Sequence, residues 1–271
     1  MNQERHYILP SVRYKRKAAI FSISVVVLVG AAIYLGFDPS LLFSDFHYVT
    51  DLLSGMLPPD FHRLWSDKSV WFSVLETISM SFLGTIFGGA LAIFFAFLAA
   101  ANTMPFRIVR VIVRTFLSVT RVVPSLIVIL IFVVAVGLGA FAGMLTLILA
   151  TIGTFGQLFT EIIENTDSGP AEAIYSVGAS RMQVIRYVIL PQALPSFIAN
   201  LFYSFDVNLR AAIGLGIFGG GGIGFELFMA MRVLHYRDAL ALSCLIILLI
   251  VGMEKISDLL RAQILGKNKL K

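Results

Sequence analysis

The sequence predicts an all-α, polytopic membrane protein with about six transmembrane helices, and three observations carry that prediction. Of 271 residues, 58% are hydrophobic and 14% charged, where a soluble domain is charged at about 25% of positions. Mean hydropathy is +0.88. Long runs carry no charge at all, and lysine and arginine fall unevenly between them.

A bilayer core takes about 20 apolar helical residues. Residues 18–36 are free of charge and supply span one; the run is long for the apolar part of a cleaved leader. Residues 77–106 form a 30-residue charge-free run, enough for one long or tilted helix. Residues 122–160 continue for 39 residues, interrupted by GLGAFAG at 137–143. At about 1.5 Å per residue that is too long for one span, so it predicts two helices joined by a glycine turn. Span five is expected after Pro195 to about Gly216 and span six over 239–253 with a few flanking residues, with the glycine-rich piece 214–224 open to a re-entrant path.

Sixteen of the 21 lysines and arginines lie on one side of this topology: five before span one, four at 107–121, Arg181 and Arg186, and five after span six. The positive-inside rule then places both termini and the segment 165–195 in the cytoplasm. The net charge of +5 is this bias, so no nucleic-acid partner is implied. Segment 37–68 has amphipathic spacing with Trp65 and Trp71 placed like interfacial anchors, and reads as an outer surface helix or a plain connection. One cysteine excludes an internal disulfide, and four scattered histidines form no ligand spacing.

The wet-side segment is the most specific stretch. Ser168-Gly169-Pro170 is a helix start, with Glu172 near the positive end of the helix. A short helix over 171–177 should end at Gly178. A second helix should carry Met182, Ile185 and Ile189 on one face and stop at Leu190-Pro191. Glu172, Ala173 and Ile174, then Gly178, then Val188, Leu190 and Pro191 keep the spacing of the EAA signature. The segment resembles the permease subunits of ABC importers, with Ile174 for alanine and Val188 for isoleucine as departures. Stretches 76–102, 121–165 and 208–227 are similar to the phosphonate-type (phosphonate and phosphite) branch.

The resemblance implies a type I ABC importer permease fold and a binding-protein-dependent inner-membrane component in a bacterial cell membrane. It implies that Glu172, Ala173, Gly178, Leu190 and Pro191 belong to a coupling segment docked on a cytoplasmic ATPase dimer. It further implies a periplasmic or lipid-anchored solute-binding protein and a second permease copy as partners, besides membrane lipid. No Walker motif occurs, since Gly266-Lys267 lacks both the upstream glycine and the hydroxyl. The chain is therefore expected to be no enzyme and to hold no cofactor, with ATP and Mg on the partner. Residues 1–70 read as tail, first span and outer segment, 71–262 as the permease domain and 263–271 as a basic tail.

Ionisable groups within spans are pathway candidates. Asp206, Asn208 and Arg210 lie on span five; Arg210 suits an anionic solute, or Asp206 and Arg210 neutralise each other at i,i+4. Glu76 begins span two and either lines an entrance or caps the helix. Arg121, three residues before Pro124, reads as a snorkelling interface residue. Gly84 and Gly88 make a G-x-x-x-G face for close helix approach, within the subunit or across a dimer. Gly219, Gly221 and Gly224 spell G-x-G-x-x-G, but no strand or downstream acid accompanies them, so they are expected to form a tight turn near the path. An ion-coupled secondary transporter would need several mid-membrane carboxylates and repeats, and a membrane enzyme a clustered catalytic set; neither pattern is present.

Overall fold

The computed structural model describes residues 10–38 and 46–266, and among them every regular element is helical. The outer segment's residues 39–45, Arg5 and the end of the basic tail lie outside the described residues. The chain divides into two compact units at Gly55 and Met56. The first contains α1, Pro10–Tyr34, and most of α2, Phe46–Met56. Over 17–34 α1 is apolar, with a mean hydropathy of 2.0, as befits a helix that crosses a bilayer.

The second unit opens with α3 (His62–Ser66) and α4 (Lys68–Ala99). Asp67 caps α4 by accepting from Ser69 N at 2.8 Å, and Trp71 Nε1 donates back to Leu64 O at 2.7 Å. The long helix α4 packs along α7 (Ala140–Glu164). A Cβ on Gly84 would come within 2.7 Å of Leu147, and one on Gly88 within 2.7 Å of Thr151. The G-x-x-x-G face is therefore spent on this internal seam, where close backbone approach supplies the contact that lipid cannot.

Between them lie α5 (Arg107–Val122) and α6 (Ser125–Val136), whose axes differ by 92°. Val123 and Pro124 are extended between them, and Pro124 has no amide hydrogen to continue the ladder. The expected third span is thus a 12-residue helix, about 18 Å long, reached by a slanting one. Five helices are long and apolar enough to cross a bilayer, or six when this bent pair counts as one.

After α8 (Ser168–Ser176) and α9 (Arg181–Val184), a π-turn over Ile185–Ile189 leads into α10, Leu190–Leu215. The expected stop at Leu190-Pro191 does not occur. Wider turns carry the chain through: Leu190 N–H donates to Ile185 O, and Pro191 then falls in the first turn of α10, where a missing donor costs little. A second π-turn over Gly216–Gly220 precedes α11, Gly222–Arg232, and α12 runs from Tyr236 to Gly266, well beyond the expected 239–253. The apolar core has an inner cluster around Ala96, Phe155, Phe159 and Phe197, and an outer one around Val70, Ile223 and Leu242.

Candidate functional site

The wet-side corner is built as a cap on the inner cluster. Asp167 caps α8 by accepting from Gly169 N at 3.0 Å, while its own N–H donates to Gln192 Oε1 at 3.0 Å. The helix start is thereby tied to the base of α10. Gly178 has φ +90° and closes the helix, its N–H donating to Tyr175 O at 3.0 Å and that of Ala179 to Ile174 O at 3.3 Å. Ser180 N donates to Gln183 Oε1 at 2.7 Å, restarting the chain as α9. Ala171, Ile174, Ala179 and Ile185 rest on the inner cluster. Glu172, Ala173, Tyr175, Val177, Gly178 and Met182 are exposed around the corner, with Val177 83% accessible. Val188 and Ile189 are buried, Leu190 is half-buried and Pro191 is exposed.

Behind this corner sits a latch that the sequence did not announce. Glu164, the last residue of α7, pairs with Arg114 and accepts from Ala101 N at 2.6 Å. Arg114 Nε also donates to Ala99 O at 2.9 Å, and Asn102 Nδ2 to Ile163 O at 2.7 Å. The α4–α5 turn, α5 and α7 are joined at one level. Glu164 finds its partners 50 and 63 residues away, so no local spacing could have shown them.

Halfway along the spans, Asn208 is 4% exposed. Its amide donates to Thr85 Oγ1 at 2.8 Å and to Thr151 Oγ1 at 3.0 Å, so α4, α7 and α10 meet on one side chain. Thr77, Ser81 and Thr85 each return their hydroxyl to the carbonyl four residues back, forming a buried hydroxyl ladder. Both amide hydrogens of Asn208 are used within the core. They are not available to a solute.

Asp206 and Arg210 do not pair with each other among the described contacts. Each reaches across to α12: Arg210 Nη2 lies 3.0 Å from Glu254 Oε2, and Asp206 Oδ2 lies 3.7 Å from Arg261 Nη2. Arg261, expected in the cytoplasm beyond span six, stands level with Asp206. Asp206 is buried, whereas the side chains of Arg210 and Glu254 are 46% and 49% exposed. Two crossed ion pairs therefore clamp α10 to α12, one of them open to its surroundings.

At the far end, the glycine turn is held from α4. Glu76 Oε2 accepts from Gly222 N at 3.1 Å, and Thr77 Oγ1 from Ile223 N at 2.9 Å. These are leading donors of α11, so Glu76 and Thr77 cap a helix distant in sequence rather than their own. Gly139 N donates to Gly219 O at 2.8 Å, stitching the α6–α7 turn to the same knot. Gly219, Gly221 and Gly222 have positive φ. A Cβ on Gly224 would lie 1.9 Å from Ile213 O, so this glycine is required by contact. Helices flank the turn on both sides, in place of the strand–turn–helix of a dinucleotide site. Among the described residues no three histidine, cysteine, aspartate or glutamate side chains converge on a possible metal position.

Residues 92–264 match the family model described as binding-protein-dependent transport system inner membrane component. A phosphate-import permease protein, PhnE, of Mycolicibacterium smegmatis is 37% identical over 235 residues, 87% of this chain; the match spans 44% of that protein's length. The phosphite transport system permease protein PtxC of Stutzerimonas stutzeri is 34% identical over 264 residues, 96% of this chain and 94% of its own. Among solved structures, a chain of a bacterial ABC transporter importing the polysaccharide alginate superposes with a TM-score of 0.65 at 15% identity, covering 92% of this chain and 96% of that one.

Proposed function

The chain belongs to the family of binding-protein-dependent transport system inner membrane components, the permease subunits of ATP-driven importers, and we propose that its solute is a phosphorus oxyanion. Its fold is that of type I ABC importer permeases. The relatives named for phosphate and phosphite support the solute class. The observation that carries the reading is the half-exposed Arg210–Glu254 pair on two spans. An ion pair facing hydrocarbon is costly, so this face is turned to water or to a second protein surface. Arg210 offers several donors in a planar fork suited to phosphonate or phosphite oxygens, and an arriving anion would draw it from Glu254. Asp206 holds Arg261 to the same level, Asn208 fixes the helix that presents Arg210, and Glu76 keeps the outer turn closed.

In this reading the corner around Gly178 seats on a separate ATPase dimer. Glu172 and Ala173 lie on the docking face, and Leu190 and Pro191 lead force into α10. Both termini and the corner are cytoplasmic, a solute-binding protein delivers from outside, and a second copy of the chain completes the pathway. ATP and Mg remain on the ATPase.

The test is ATP hydrolysis by the permease–ATPase complex in lipid, with its binding protein loaded with an alkylphosphonate, phosphite or methionine. Stimulation by the phosphorus oxyanions alone is expected. Stimulation only by methionine would keep the importer and remove the solute class.

A further inference from the structure

Arg121 is the last basic residue of α5 and lies beside the middle of α7. A Cβ on Gly153 of α7 would come within 2.6 Å of Arg121 N, so the two backbones touch there. Gly153 is eleven residues from Glu164, which sets that contact about 16 Å from the level of the inner latch. The arginine side chain runs inward but stops short. Its Nη1 donates to Gln157 Oε1 at 2.6 Å, still about 10 Å from the Glu164 level by helix rise. Gln157 Nε2 in turn donates to Ser118 Oγ at 2.9 Å, so the glutamine is oriented to accept from the guanidinium.

This arrangement differs from a snorkelling arginine, which would reach the interface. It also differs from Arg114, Arg210 and Arg261, each of which faces a carboxylate. Among the described residues Arg121 has no carboxylate partner, and one of its five N–H groups is used. The residue is exposed. Arg110, Arg114, Ser118 and Arg121 fall on one side of α5 at helical spacing, and a mainly apolar groove of about 520 Å³, lined by Arg114, Thr115, Ser118 and four valines including Val119 and Val122, lies alongside without including Arg121. Ile108 and Ile112 take the opposite, apolar side.

We infer that Arg121, oriented by Gln157 and Ser118, is an anion-binding station on the inner half of the translocation route, taking a tetrahedral phosphorus oxyanion on its way to the cytoplasm. The inference rests on the solute class proposed above. The same chemistry belongs to the headgroup phosphate of an inner-leaflet lipid, and the experiment separates the two sources.

The permease–ATPase complex is reconstituted with its loaded binding protein in vesicles of phosphatidylcholine alone, and in vesicles containing phosphatidylglycerol. Uptake of phosphite or an alkylphosphonate is followed for wild type, R121A, R121K and Q157L. R121A should lower the maximal uptake rate at least tenfold in both lipids, with the half-saturating concentration of loaded binding protein unchanged within twofold. R121K, which keeps charge without the planar fork, should recover part of the rate, and Q157L should lose severalfold. Each variant should still co-purify with the ATPase. Wild-type rates in R121A, equal rates in R121A and R121K, loss of co-purification in both, or a defect confined to phosphatidylglycerol vesicles would each overturn the station. Uptake of no phosphorus oxyanion by wild type would overturn the solute class first, and the station with it.

Discussion

Gly178 and Gly224 flank the helical run over residues 181–215 on either side, and they are glycine for different reasons. At Gly178 a Cβ would meet nothing within 4 Å; only its φ of +90° demands glycine. At Gly224 a Cβ would lie 1.9 Å from the Ile213 carbonyl oxygen, and at Gly216 one would lie 2.7 Å from Gly221 O and Phe225 N. The inner corner bends into open space, whereas the outer knot is closed on itself. An open corner keeps room for a partner; a closed knot keeps helices together. The same residue type thus serves an open corner at one end and a lock at the other.

Substitutions at the two ends should therefore fail in different ways. Gly224→Val should give the largest effect: a clash with backbone has no rotamer escape, and a loss of more than about 4 kcal/mol is expected, read as failure to obtain folded protein in detergent. Recovery of a well-folded G224V would break the comparison. Gly178→Glu should leave thermal unfolding close to wild type, because the strain of positive φ is on the order of 1 kcal/mol, yet solute uptake and ATPase co-purification should collapse. Normal uptake by G178E would remove the docking role of the corner. Trp65 and Trp71, with rings 6.4 Å apart beside the outer end of α4, provide the fluorescence signal for both measurements.

Asn208→Ala leaves two buried threonine hydroxyls without their donor and should cost about 1–3 kcal/mol, seen as a lowered melting temperature with uptake surviving in proportion to folded protein. A variant that melts normally but transports nothing would return Asn208 to the pathway. The smallest effect belongs to Glu172→Gln. Its carboxylate is exposed, so stability should be unchanged within about 0.5 kcal/mol, while ATPase affinity falls a few fold in a salt-dependent manner.

How much of this was legible in the sequence follows from the range of the interactions. The spans appear as charge-free runs because every residue of a run faces the same solvent, and the corner appears because proline, glycine and a helix-start acid act on their immediate neighbours. Helix ends were less legible. The chain continues through Pro191 because a π-turn shifts the hydrogen-bond register, a choice made by packing on the inner cluster. Arg210 has an acid four residues earlier on its own helix, and local reasoning pairs them; the fold offers Glu254 at 44 positions' distance and takes it instead. Glu76 sits where a cap for its own helix is expected, and its oxygen instead meets the start of α11, 146 residues away. Partners of this kind are set by which helices lie side by side, and periodicity carries no record of that.

The helical run over residues 181–215, carried through its π-turn, has a mechanical consequence. Thirty-five residues make a rod about 50 Å long, with one end at the Gly178 corner and the other running into the glycine knot. Rotating such a lever by about 5° about its inner end would sweep the outer end through about 4 Å, by the geometry of a rod of that length. A tilt of a few degrees at the corner thus becomes a displacement of a few ångströms at the knot, with the clamps to α12 setting which neighbour is carried along.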